Sequence, residues 1–252
     1  MVVFTCKDDF ESMMTCIYDA WSARLGHSNI RLQTEPIEMP ELFCQYCYVE
    51  ADSEKTQKVI RSIQKKISME AYKFIYTAAM SCDTDKLDKI YRFVVTGFSA
   101  GSRVTSMHGI PAVSSVFELN RRITNEAHHF KEFVRFSRLE TQVLYSVIEP
   151  QNNVLTLIAP YFSDRMPSEN WMVLDRNRNL AAVHPADQNY FLTSLSQKEL
   201  SFIEGTKDCQ DPYVSLWKTF FHSIAVEART NYRCQRNFLP LKFRKNMTEF
   251  QP

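Results

Sequence analysis

Five basic residues near the end of the chain, Lys218, His222, Arg229, Arg233 and Arg236, have the spacing of one helix face. At 100° per residue they fall within about 60° of arc, and at 1.5 Å per residue the row would run about 27 Å. Lys242, Arg244 and Lys245 follow Pro240 and prolong the positive surface. A row of ammonium and guanidinium groups of that length matches a phosphate backbone, which supplies affinity without reading sequence. A solvated helix face has the same appearance in sequence. The apolar residues Val214, Trp217, Phe220, Phe221, Ile224, Ala228 and Tyr232 fall on the opposite side, so one amphipathic helix from Pro212 through Arg236 is expected.

A second group centres on His128, beside His129 and near Lys131, Arg135 and Arg138. An imidazole titrates near neutral pH, so His128 oriented by Asp164 or Asp175, with Arg165 in the same constellation, has the residue types of a general acid–base site. A histidine held by an ordinary core hydrogen bond is the plainer alternative. Adjacent helical residues point about 100° apart, so the His128-His129 pair cannot share one metal in the i, i+4 manner. Cys44-x-x-Cys47 lacks a second pair, and positions i and i+3 of a strand face opposite ways. No metal and no cofactor are expected. Tyr161, Phe162, Trp171, Tyr190 and Phe238 are candidate rings for stacking on bases, not separable by sequence from core aromatics.

Positioning these residues requires both helices and strands. Val2 to Phe4 reads as a short strand, and Asp8 or Asp9 then caps a helix carrying Phe10, Met13, Met14, Ile17 and Trp21, ended by Gly26. Leu42 to Val49 alternates as a strand with Phe43, Cys47 and Val49 on one face. Helices follow from Ser53, from Ser68 and from Asp83 or Thr84, and Ser115-x-x-Glu118 reads as a capping box opening a helix through about Phe133. Val134 to Leu139, Val143 to Glu149, a helix on Val154, Leu157, Ile158 and Tyr161, then Trp171 to Leu174 and Leu180 to His184, give β-β-α-β-β. A hairpin joins the last two runs across Asp175 to Asn179. Ser196-x-x-Glu199 is a further capping box, and Asp211-Pro212 starts the last helix. The fold expected is α+β: a mostly helical N-terminal half, a central four-stranded antiparallel sheet, and a long C-terminal helix with a basic tail. Residues 1–252 are read as one unit, with a possible division into 1–133 and 134–252.

Composition narrows the functions. The 30 basic and 29 acidic residues nearly cancel, which excludes a highly charged nucleic-acid coat, yet residues 218–252 carry 7 basic against 2 acidic side chains. Only 5 glycines occur, and neither GxGxxG nor GxxxxGK[ST] is present, so phosphate-cradling nucleotide loops are excluded. GxSxG, HExxH and the HxE with PCxxC pattern are missing too. The 7 scattered cysteines in a chain without a signal-peptide pattern or a long apolar run point to reduced thiols in the cytoplasm and no membrane.

Several segments in order resemble the bacterial "probable DNA metabolism protein" family, a domain of unknown function associated with a putative DNA-repair radical-SAM protein. They are Glu126-Ala127-His128-His129-Phe130 through Arg135-Phe136, Ile148-Glu149-Pro150, Pro160-Tyr161-Phe162-Ser163-Asp164-Arg165, Asn170-Trp171 and Asp175. Leu216-Trp217-Lys218, Glu227-Ala228-Arg229-Thr230-Asn231, Gln235-Arg236 and the Pro240 to Phe250 tail fit the same pattern. His129 stands where the family carries a small or basic residue. The resemblance implies a role in DNA repair or modification beside a radical-SAM partner, and kinship with domains fused ahead of uracil-DNA-glycosylase-like domains. The iron–sulfur cluster would belong to the partner, since CxxxCxxC is missing here.

Three readings follow. The first is a DNA-binding accessory with phosphates along the basic row. The second is an enzyme acting on a nucleic-acid base or nucleotide through His128 with Asp164, Arg165 and Asp175. The third is a protein-interaction adaptor.

Overall fold

The computed structural model describes residues 1–37, 39–139, 141–205, 212–244 and 247–250. The fold is α+β, and it divides into two compact units, Met1–Thr124 and Asn125–Pro252.

The first unit is built on a three-stranded parallel sheet ordered β2-β1-β3, with β1 Val2–Cys6, β2 Ile30–Thr34 and β3 Gln45–Tyr48. β1 is a continuous Val-Val-Phe-Thr-Cys run rather than an alternating one, as expected of a central parallel strand covered on both faces, and four of its five residues are buried. Helix α1 (Phe10–Ser22) carries the chain from β1 toward β2. Asp9 starts it by accepting from the Ser12 N–H at 2.8 Å and the Ser12 hydroxyl at 2.7 Å. Its buried stripe is Met13, Met14, Ile17 and Ala20, while Trp21 is exposed and its ring centre lies 4.7 Å from that of His27, tilted by 53°.

Asp52 and Ser68 cap α2 (Ser53–Lys66) and α3 (Met69–Ala79), and α4 (Lys86–Ala100) completes the helical layer. Ile63, Ile75, Leu87, Ile90 and Phe93 form the centre of this core. Gly97 marks a close approach: a Cβ there would meet the Ile67 side chain at 2.7 Å. Phe43, expected to share a strand face with Cys47 and Val49, lies outside β3 and is almost fully exposed, with φ 61°.

Helix α5 (Pro111–Phe133) contains the boundary between the units. It begins earlier than the sequence pattern suggests. Ser115 is already inside it, its hydroxyl donating to the Pro111 carbonyl at 2.8 Å, so the expected capping box is not a cap.

The second unit holds a five-stranded sheet in the order β4-β5-β6-β7-β8. The strands are β4 Ser137–Arg138, β5 Leu144–Ile148, β6 Trp171–Asp175, β7 Leu180–His184 and β8 Phe191–Ser194. This corrects the four-stranded antiparallel arrangement. Helix α6 (Leu155–Arg165) returns the chain so that β5 and β6 run parallel, the consequence of a crossover connection, while the other neighbours are antiparallel. β8 adds the fifth strand at an edge. β6 is buried at all five positions, and α7 (Gln197–Gly205) sets Leu200 and Ile203 against Leu139, Tyr145, Met172 and Leu174. The Ser196 capping box of α7 is formed: Glu199 accepts from the Ser196 N–H and hydroxyl, each at 2.7 Å.

The single long C-terminal helix is also corrected. α8 (Pro212–Ser223) stops, a 3-10 turn covers Glu227–Arg229, and α9 (Tyr232–Phe238) starts afresh behind Asn231, whose side chain accepts from the Cys234 N–H at 2.9 Å. Val226 and Thr230 are extended, and an asparagine at this point serves better as a cap than as a helix interior. The short α10 (Leu241–Arg244) follows. The basic residues are therefore not one row: Lys218 and His222 lie on α8, Arg229 on the turn, Arg233 and Arg236 on α9, and Lys242 and Arg244 on α10. Lys245 and the cap position Asp211 lie outside the described residues. Among the described residues no helix is long and apolar enough to cross a membrane.

Candidate nucleic-acid interface

Three segments of the second unit converge on a cleft of about 640 Å³: the end of α5 and the residues after it, the end of α6, and the end of α9. Its floor is fixed by the core. Phe162 is buried and meets Phe136 and Trp171 edge to face at 5.2 and 6.2 Å, with Trp171 stacked flat on His184 behind them. Since adjacent helical residues diverge by about 100°, anchoring Phe162 inward leaves Tyr161 toward solvent at 37% exposure. Phe238, 75% exposed, reaches the same cleft from the end of α9.

The cations that line the cleft differ in their commitments. Arg135 is held by its neighbours through four hydrogen bonds. Its Nε and Nη2 both donate to Glu249 Oε1, at 3.2 and 2.8 Å, its Nη1 donates to the Glu132 and Val134 carbonyls, and its guanidinium lies 5.6 Å from the Trp217 ring centre. Glu249 is almost fully buried beneath this pair. Burial would raise its carboxyl, but hydrogen bonds from its own N–H, from Arg135 and from the Trp217 indole, with the Arg135 charge, hold it below the ordinary glutamate range. Arg135 is thus a latch between the end of α5 and the C-terminal segment.

Lys131 and Arg165 have no carboxylate partner among the described residues. Lys131 Nζ sits 5.8 Å from the Tyr161 ring centre, and Arg165 is one turn beyond Tyr161 on the same face of α6. The arrangement offers two available positive charges beside exposed aromatic rings in one concavity.

Nearby, Glu126 is buried and serves the loop after β5. It accepts from the Gln151 N–H, the Asn152 N–H and the Asn152 side-chain amide at 2.9, 2.9 and 2.6 Å, with Lys242 at 3.8 Å.

Of the acid–base group expected from sequence, His128 is exposed and pairs with Glu132 on its own helix at 3.1 Å. His129 stacks on Phe133. Asp175 is fully buried and closes the hairpin turn, accepting from the Asn177 and Arg178 N–H groups at 3.0 and 3.3 Å and from the Arg178 guanidinium at 3.0 Å. Burial raises its carboxyl, against the pull of Arg178 and of those two N–H groups. Asp164 is exposed on α6. Among the described residues no hydrogen bond or ion pair joins His128 to Asp164 or Asp175.

Of the charged residues expected at a site, Arg165 lines the cleft. Arg229, Arg233 and Arg236 are exposed, with Arg233 and Arg236 on the helix that delivers Phe238. Lys242 and Arg244 face the rings of Phe243 and Phe250. Of the stacking candidates, Tyr161, Phe162 and Phe238 line the cleft. Lys131 carries one usable signal in sequence: it lies among the basic residues beside His128, next to aromatics.

No curated protein matches this chain. The family described as a domain of unknown function, DUF4130, matches residues 84–249, a span that takes in every segment of the cleft and the latch that closes the C-terminal segment onto it. On the extent of that match the chain belongs to the DUF4130 family.

Proposed function

We propose that this chain is a DNA-binding accessory protein of DNA repair or DNA metabolism, working beside the radical-SAM partner that the sequence resemblance implies. The observation that carries the reading is the cleft, in which Lys131 and Arg165, without a carboxylate partner among the described residues, lie beside the exposed rings of Tyr161 and Phe238. Phosphates are held by those cations and by the exposed Arg229, Arg233 and Arg236, a distribution spread over several short elements rather than along one helix.

Fluorescence anisotropy with labelled DNA across a salt series tests this. The protein is expected to bind with a steep negative slope of log affinity on log salt. Arg233→Glu with Arg236→Glu should weaken binding and reduce that slope by about one unit for each phosphate that is no longer neutralised. Binding unchanged by this pair, or no binding at any salt concentration, overturns the proposal.

A docking role alongside DNA binding is favoured by one observation. On α8, Tyr213, Leu216 and Phe220 share a face at i, i+3 and i+7 and are 63, 64 and 49% exposed, more apolar surface than a helix leaves to water without use. Among the described residues no interaction favours the acid–base reading at His128.

A further inference from the structure

We infer that the cleft is a subsite for a single unstacked nucleotide, and that the protein therefore prefers single-stranded or unpaired DNA to duplex. This rests on the DNA-binding reading and specifies the form of DNA.

The argument starts from what aromatic rings can do for a nucleic acid. In a duplex the base faces are stacked on one another, and a protein meets only phosphates, sugars and base edges. Recessed rings add nothing to such a contact. They gain free energy when a base is out of the stack and can lie flat against them. Tyr161 and Phe238 come from different elements, the ends of α6 and α9, yet open into one concavity and keep substantial exposed area. A surface shaped for duplex phosphates alone would carry its cations outward and have no use for these rings.

The charges are spaced for a nucleotide. Tyr161 and Arg165 are four residues apart on α6, so they neighbour one another on one helix face, and the Lys131 ammonium lies 5.8 Å from the Tyr161 ring centre. A base on Tyr161 has its own phosphate within the reach of both cations. The Arg135 guanidinium, bonded to Glu249 and two carbonyls, forms part of the wall and is not required as a ligand. Tyr161 is held in place by its neighbour Phe162, which packs edge to face on Phe136.

The test uses the full chain and three probes: fluorescein-labelled dT12, a 12-base-pair duplex, and thymidine monophosphate as competitor. The wild type should bind dT12 at least about tenfold more tightly than the duplex. Tyr161→Ala should weaken dT12 binding by about 5- to 100-fold, the range that loss of one base–aromatic stack produces, with little change for duplex. Tyr161→Phe should keep dT12 affinity, since the π-face and not the hydroxyl is used. Phe238→Ala, at a ring that is three-quarters exposed, probes the same cleft without disturbing the fold if Tyr161→Ala does not fold.

Equal affinity for dT12 and duplex, with a steep salt dependence for both, would overturn this inference while leaving the DNA-binding reading standing. The same holds if Tyr161→Ala and Phe238→Ala leave dT12 affinity unchanged. Thymidine monophosphate binding as tightly as dT12 would overturn the strand assignment in favour of a free nucleotide. Binding of neither DNA at any salt overturns both.

Discussion

Helices α1 and α8 present the same apolar pattern and meet different fates. In α1 the residues Met13, Met14 and Ile17 are buried by the β1–β2 sheet and by α2, because the helix is the crossover of a parallel β-α-β unit and the sheet supplies its cover. In α8 the equivalent positions Tyr213, Leu216 and Phe220 are exposed, while among the described residues Trp217 meets the Arg135 guanidinium and Phe221 lies 5.8 Å from Phe250. Periodicity states which face of a helix is apolar. Whether that face is core or interface depends on what the topology brings to it. The region around α8 and α9 therefore differs from the N-terminal core: Tyr213, Phe220 and Phe238 keep about half or more of their surface exposed.

The largest effect that sharpens this contrast lies in the N-terminal core. Ile63 is fully buried between α2 and its neighbours, and Ile63→Ala should cost about 2–5 kcal/mol through reduced burial and a residual cavity. Urea denaturation followed by far-ultraviolet circular dichroism measures it. A destabilisation below about 1 kcal/mol would mean that this core is no better packed than the α8 face, and the contrast would fail.

Next in size is the latch. Glu249→Gln removes the charge that Arg135 grips and should cost about 1.5–3 kcal/mol, the range for a hydrogen bond to a charged group. Hydrogen–deuterium exchange should speed up in residues 212–244 while α1 to α4 stay protected. The pH dependence gives a second handle. Because the folded protein holds Glu249 below the ordinary glutamate value, its contribution is present above about pH 4.3 and is lost as pH falls through the lower folded value. Glu249→Gln should flatten that part of the acid limb. Equal loosening of both units would show that the second region is not held separately.

Caps give a smaller test of the same contrast. Asp9→Ala removes two hydrogen bonds at the start of α1 and should cost about 1 kcal/mol of global stability. Asn231→Ala removes the cap of α9 and should fray that helix, seen as faster exchange at Cys234, with little change in the global urea midpoint.

What can be read from sequence divides along the same line. The caps at Ser68 and Ser196, the starts of α1, α2 and α3 and the Trp171 to His184 hairpin are readable because each is set by residues close in sequence. β2 is not: Ile30 and Leu32 alternate with Arg31 and Gln33, too short a pattern to stand out between a turn and Pro36. The parallel sense of β5 and β6 is not written in either strand, since direction follows from the path of α6. The break after Ser223 is hidden because Ile224, Ala228 and Tyr232 continue the apolar wheel, and Asn231 then caps a new helix. At the cleft, Arg165, Tyr161 and Phe238 are readable as residue types, but their meeting is not. It depends on segments 131–136, 161–166 and 238–239, which only the fold brings together. Asp175 shows the reverse: a carboxylate with the look of chemistry serves as a turn cap.

The smallest stability effect is the most telling for α8. Leu216 is 64% exposed, so Leu216→Ala should change the urea midpoint by an amount equivalent to about 0.5 kcal/mol or less. A leucine in α1-like surroundings would cost several times that. If Leu216→Ala costs as much as Ile63→Ala, the α8 face is covered in the folded protein and its apolar row is core. If it costs almost nothing, a helix that carries Tyr213, Leu216 and Phe220 in water is maintained for something other than the stability of its own unit. A partner that shields the row should then slow the reaction of a Leu216→Cys variant with a water-soluble maleimide, relative to the same variant alone.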